Sequence, residues 1–344
     1  MADRASVGCR IRHWEPDVVY SAVIRSVDRQ FLLKPDHDPR HPLLAAGCPP
    51  EALDPSNDLT PIPSVLNIIG ACAARAQSLY PVAIHALETN VNHKQLEFSG
   101  NDSQVHNLSP FMRTFNSAVA VQLNKKWQRD GHLWSARMRT TPCLDDASAE
   151  QQQLYILTNP VKDGLIETVS ESPLFTTYRA LAYGEPLEFW RIDWNAYYLA
   201  GGARKKRHRP KDYLEWLTLE LAPLPHQADW PEHRRQTWTR QQVRKIEAET
   251  REQLRGEGRR VFGAKRLFRI DPRDRPKDPK HGGLQPLCHA ADPALRKAYA
   301  EAWRELLAAH REASLDYRAG MHDRVFPEGT FRPPIVTLCT VLRQ

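Results

Sequence analysis

Two short stretches of this chain place reactive side chains at spacings that chemistry can use. The first is NHKQLEFS, residues 92–99. Side chains alternate between faces in an extended strand, so His93, Gln95 and Glu97 share one face while Leu96 and Phe98 share the other. An imidazole nitrogen, an amide oxygen and a carboxylate in a row can ligate a divalent ion, and this oxygen-rich mixture suits Mg²⁺ or Mn²⁺ better than zinc. The second stretch is QQQLYILTNP, in which Tyr155 and Asn159 stand four residues apart and are neighbours on one helical surface. Tyr155 is a candidate nucleophile there, and Asn159 a further metal ligand. Each stretch also has a plainer reading: a solvated sheet face for the first, a packed tyrosine and a helix-closing asparagine for the second.

The flanking sequence supplies elements that could position them. Val18 to Leu33 is rich in Val, Ile and Tyr and reads as a first strand, followed by the loop-like KPDHDPRHP, whose His37 and His41 are loop residues. Ser64 is a candidate N-cap for a helix that carries Val65, Ile68, Ile69 and Cys72 on one face. PVAIHALE and NHKQLEFS alternate as an antiparallel pair, with a turn around Thr89, Asn90 and Val91. A helix follows from about Ser109 to Trp127, then a polar turn at Arg129-Asp130-Gly131, the segment HLWSARMRTTPC, and a helix from about Asp146 that Pro160 should stop. This order predicts an α+β fold, with helices on one face of the sheet. Trp134 fits the core better than a base-stacking role.

The character changes after about residue 186. Residues 1–185 read as the catalytic domain, 186–232 as a basic, Pro-rich linker, and 233–344 as a mainly helical basic extension. The linker holds the densest basic run, Arg204, Lys205, Lys206, Arg207, Arg209 and Lys211, whose plainest functional reading is salt-sensitive contact with phosphates. Arg234, Arg235, Arg240, Arg244 and Lys245 follow on a helix where Glu247, Glu249 and Glu252 offset them. GAKRLFRIDPRDRPKDPKHGG is again basic and broken by prolines. Beyond it, Asp292-Pro293 cap an amphipathic helix with Leu295, Tyr299, Trp303, Leu306, His310, Ala313 and Tyr317 along one face and Gly320 past its end.

The 344 residues carry a formal net charge of +7, which suits a polyanionic partner. Six scattered cysteines form no CxxC pair and read as reduced structural thiols. The polar start MADRAS and the lack of a long apolar run point to a cytoplasmic protein that makes no membrane contact.

Taken together, the run from Tyr80 to Ile166 resembles the REP-associated tyrosine transposases of the single-tyrosine HUH nuclease superfamily. The resemblance rests on Asn92-His93 in a strand pair, a helix ending in Asn124, GHLW at 131–134, Arg137, and YILTNPVKDGLI from Tyr155, with Tyr20 and Arg25 on the earlier strand. Its most specific part is Y-x-x-x-N-P-V-K-x-G. The resemblance implies a ferredoxin-like antiparallel sheet whose metal-binding strand faces the nucleophile's helix. By position, Tyr155 attacks a DNA phosphate, His93 is the first metal ligand, Asn159 is the helical ligand, and Arg25 and Arg137 contact DNA. The implied substrate is single-stranded or hairpin DNA, handled by a monomer or homodimer associated with the bacterial nucleoid. The chain departs from the family's His-hydrophobic-His pattern with His93-Lys94-Gln95. Three neutral ligands hold a cation weakly unless Glu97 or the DNA phosphate adds charge. The alternative is therefore a catalytically weakened, domesticated protein that binds hairpins by sequence without cutting them.

Overall fold

The computed structural model describes residues 11–36, 63–202, 208–277 and 286–333. Its centre is an antiparallel sheet of β1 (Val19–Arg25), β2 (Ala83–Thr89), β3 (His93–Ser99) and β4 (Arg139–Cys143), in the spatial order β2-β3-β1-β4. Helix α1 (Val65–Leu79) joins β1 to β2, and α2 (Leu108–Lys126) joins β3 to β4. This βαββαβ path with β1 and β3 central is the ferredoxin-like arrangement. Ser64 caps α1 as expected, its hydroxyl accepting the Asn67 N–H at 3.1 Å.

The first strand is shorter than its composition suggests. It ends at Arg25 because Asp28 and Arg29 adopt positive φ angles of 49° and 57°, which no ladder accommodates. The Ser26 hydroxyl locks the turn by donating to the Gln30 carbonyl at 2.6 Å.

Helices cover both faces of the sheet, not one. α1 and α2 bury Tyr20, Ala22, Ile24, Leu96 and Phe98 with Phe111 and Phe115. The opposite face receives α3 (Asp146–Lys162), whose Ile156, Leu157 and Val161 pack with Ala86 and Val91. The polar face of β3 is accordingly not solvated: Gln95 and Glu97 are both buried. Pro160 lies inside α3 instead of stopping it. A proline forfeits one bond, to the carbonyl of residue 156, but its φ is helical, and in a last turn little is left to lose. The N–H groups of Asp163 and Leu165 close the end on the Asn159 and Pro160 carbonyls.

Residues 186–232 are not a simple linker. β5 (Glu188–Ile192) pairs antiparallel with β6 (Leu214–Thr218), with α5 (Trp194–Leu199) between them. Asn67 of α1 holds this ribbon by donating to the Trp190 carbonyl at 2.7 Å and accepting its N–H at 3.1 Å. Phe189 lies so close to Gly70 that a methyl group there would meet the ring at 2.3 Å. After α4 (Tyr178–Tyr183) and the ribbon, α6 (Glu232–Gly256) packs along α3, with Glu247 accepting the Val169 N–H at 2.7 Å. A short α7 (Ala264–Leu267) and the amphipathic α8 (Pro293–Arg318) complete the helical C-terminal part. Asp292 caps α8 as expected, but only Ala313 of that helix is fully buried. Among the described residues, no helix is long and apolar enough to cross a membrane.

Candidate active site

α3 starts where the Asp145 carboxylate accepts the Ser148 N–H at 2.7 Å, and it runs across the β3 face that bears His93 and Gln95. The helix brings Tyr155 and Asn159 onto that face together. Asn159 Nδ2 lies 3.2 Å from His93 Nε2, and Gln95 and Tyr155 line the same cleft. The four residues singled out from two distant stretches of sequence therefore meet across one strand–helix interface.

His93 Nδ1 is 2.9 Å from Asn92 Oδ1, an acceptor, so the proton belongs on Nδ1 and the lone pair on Nε2, facing Asn159. Burial, with Arg25 beside it, lowers the His93 pKa to about 4. A neutral ring with its proton on Nδ1 is the form that could offer its Nε2 lone pair, now facing the Asn159 amide, to a metal. Gln95 Oε1 is buried without a hydrogen-bond partner.

The strand register adds a residue that the sequence pattern does not single out. Glu88 of β2 is the cross-strand neighbour of Gln95, is fully buried, and has neither carboxylate oxygen hydrogen-bonded. Burial, then Asp163, pushes its carboxyl well above the usual range. Asp163 is tied in through Asn90, whose Nδ2 donates to it at 2.7 Å and lies 3.5 Å from Asn159 Oδ1. Glu97 is also fully buried and without a hydrogen-bond partner, and burial alone raises its pKa. It pairs in register with Ala86 and Ser21, one step further along the sheet than Gln95.

These donors fit a hard divalent cation. Among the described residues, no three His, Cys, Asp or Glu side chains gather as a ligand cluster. A ligand set would therefore need amides as well, and the donors that could contribute are His93 Nε2, Gln95 Oε1, the Asn159 amide and the unpartnered Glu88 carboxylate. Unbonded buried oxygens beside an imidazole are what such an ion would satisfy.

Tyr155 is 41% exposed and opens onto a cleft of about 650 Å³ that is also lined by Gln95, Arg25, Arg29, Arg137 and Arg139. Burial raises the phenol pKa and Asp163 adds to the shift, while Gln95 and Arg25 oppose it. Lys162 Nζ sits 5.0 Å from the centre of the tyrosine ring. The cleft thus offers guanidinium groups around a phenol, the setting for an anionic substrate. Of the predicted DNA-contact residues, Arg25 and Arg137 line it. Arg209 instead bonds Asp212 at 3.1 Å in a local turn, and Arg204, Lys205, Lys206 and Arg207 lie outside the described residues. Trp134 donates to the Asn116 carbonyl at 2.9 Å and packs against the core.

The fold and site define an α+β chain with a ferredoxin-like sheet, a tyrosine in an arginine-lined cleft, and a mixed imidazole, amide and carboxylate cluster beside it. Among solved structures, the chain is similar to a REP-associated tyrosine transposase bound to a REP hairpin, at 15% identity and a TM-score of 0.33, over 51% of this chain and 86% of that one. No family model and no curated protein matches the chain. At that level of likeness, the functional reading rests on the chain's own residues.

Proposed function

We propose that this chain is a DNA-cleaving and strand-joining enzyme in which Tyr155 forms a covalent link to a phosphate of single-stranded or hairpin DNA. The observation that carries this reading is the meeting of Tyr155, Asn159, His93 and Gln95 across one strand–helix interface, at the mouth of a cleft lined by four arginines. The transposase-like order of these residues in the sequence supports it independently.

The arginines bind and orient the phosphodiester. Arg25 sits opposite His93 in the β1–β3 register, so the phosphate is drawn toward the same end of the sheet. The Tyr155 oxygen attacks phosphorus as the bond from phosphorus to the 3′-oxygen breaks. The phenol proton is released to solvent, the departing 3′-oxygen takes up a proton, and one phosphodiester is exchanged for a 5′-phosphotyrosine. No oxidation occurs, and attack by a 3′-hydroxyl reverses the exchange. The phenol must ionise against its raised pKa, which Gln95 and Arg25 assist. Mg²⁺ or Mn²⁺ held by His93, Gln95, Asn159 and Glu88 would supply charge stabilisation at the phosphate.

Wild type and Tyr155→Phe, incubated with labelled hairpins from the DNA flanking the gene and Mn²⁺, are separated on denaturing and native gels. A covalent band in wild type alone is the expected result. Retarded but uncut DNA with both proteins would overturn cleavage in favour of hairpin binding without chemistry.

A further inference from the structure

Residues 259–277 carry a density of positive charge that the cleft does not account for. Arg259, Arg260, Lys265, Arg266, Arg269, Arg273, Arg275 and Lys277 are all exposed, against Asp271 and Asp274 as the acids in the same stretch. The backbone of this segment is pinned to the body beside the cleft. The Phe262 and Gly263 N–H groups bond the Gly164 and Leu165 carbonyls just past the end of α3. Further on, the Phe31 N–H donates to the Asp274 carbonyl at 3.0 Å, and Lys34 Nζ donates to the Phe268 carbonyl at 2.8 Å. Phe31 is two residues from Arg29, which lines the cleft, as does Pro286.

We propose that this strap is a second phosphate track, which takes the DNA strand that runs out of the Tyr155 cleft. The proposal rests on the nucleic-acid reading of the cleft. Three observations support it. The charge is complementary to a polyanion and unneutralised along most of the strap. The track is continuous with the cleft arginines through Phe31 and Arg29. Phe262, 38% exposed beneath the guanidinium of Arg266, gives a flat apolar face among the cations, as single-strand binding surfaces do. The hydrogen bonds fix the backbone, so the arginines need order only their side chains on binding.

The test measures binding by fluorescence anisotropy over a series of salt concentrations, with one labelled oligonucleotide short enough to fill the cleft and one extended on both sides. The full chain is compared with Arg266→Gln/Arg269→Gln/Arg273→Gln/Arg275→Gln, whose substituted residues are exposed and do not line the Tyr155 cleft. The expected result is an affinity loss of about tenfold or more on the long oligonucleotide and almost none on the short one. The salt dependence should also become shallower by about 0.7 for each phosphate that the strap no longer neutralises. Equal losses on both lengths, or an unchanged slope, would overturn the track and leave the cleft reading intact. Failure of wild type to bind either oligonucleotide would overturn both. Circular dichroism of the variant guards against a folding defect, and Phe262→Ala gives a second reading, expected to weaken only the long oligonucleotide.

Discussion

The two faces of the sheet both bury charge-bearing side chains, and Lys94 on one and Glu88 on the other are treated in opposite ways. Lys94 points into the α1–α2 side, fully buried, where burial pushes its pKa well below the usual range. Its Nζ donates to Asn116 Oδ1 at 2.7 Å and lies 3.3 Å from the centre of the Phe115 ring. On the α3 side, Glu88 is equally buried, yet neither of its oxygens has a hydrogen-bond partner. A buried polar group with partners is part of the architecture, whereas one left bare carries a cost that only a ligand would offset. By this criterion Lys94 builds the core, whereas Glu88 and Glu97 are both left bare, and Glu88 is the one that stands opposite Gln95.

Among the buried groups that have partners, the largest expected effect comes from His85, whose two ring nitrogens face the Ala222 carbonyl and Ser99 Oγ. Burial lowers its pKa from 6.5 to about 4. Between those values the unfolded chain binds more protons, so its contribution is fully present above the unfolded pKa and is lost as pH falls toward the folded one, by up to ~3 kcal/mol. Urea unfolding of wild type and His85→Gln across that range should show the variant with the flatter dependence; parallel curves would make His85 irrelevant to acid sensitivity. On the bare side, Mn²⁺ at about one hundred times its Kd should stabilise wild type by ~2.7 kcal/mol. Glu88→Gln should remove most of that thermal shift and Glu97→Gln little of it. The opposite ranking would move the ligand role to Glu97.

A smaller effect sharpens the contrast from the Lys94 side. Asn116→Leu should cost about 1–3 kcal/mol by leaving the lysine unpaired, and adding Lys94→Met should recover most of the loss. A double variant no more stable than the single one would mean that the pair is not what stabilises this region. Smallest is the cap of α1, where Ser64→Ala should cost about 1 kcal/mol in the same assay, because the hydroxyl satisfies one free N–H and buries no charge.

The order of strands and helices was legible because hydrophobic spacing changes from two to nearly four wherever the chain passes from strand to helix. Tyr155 with Asn159, and His93 with Gln95, were legible for the same reason: each pair is local. Glu88 was not. The pairing of β2 with β3 shifts register between Ile84 and Ala86, so that Ile84 opposes Phe98 while Glu88 opposes Gln95. Strict alternation from Ile84 would have put Glu88 on the α1–α2 side; the bulge at His85 turns it to the other. Lys94 was misleading in the same way, since a lysine in a strand reads as exposed until Asn116 and Phe115 are brought to it from a helix more than twenty positions away. The ribbon of β5 and β6 was hidden by the basic and proline residues around it, while its anchor, the small Gly70 under Phe189, carries no signal on its own.

One carboxylate joins the beginnings of two helices. Asp145 caps α3 through one oxygen, and its other oxygen accepts the N–H groups of Ala291 at 2.7 Å and Asp292 at 3.2 Å, immediately before α8. Asp292 in turn caps α8. The long outer helix therefore starts from the same carboxylate that holds the first turn of the helix carrying Tyr155. Where that helix leaves the body is thus set by the same carboxylate that fixes the first turn of the helix carrying Tyr155.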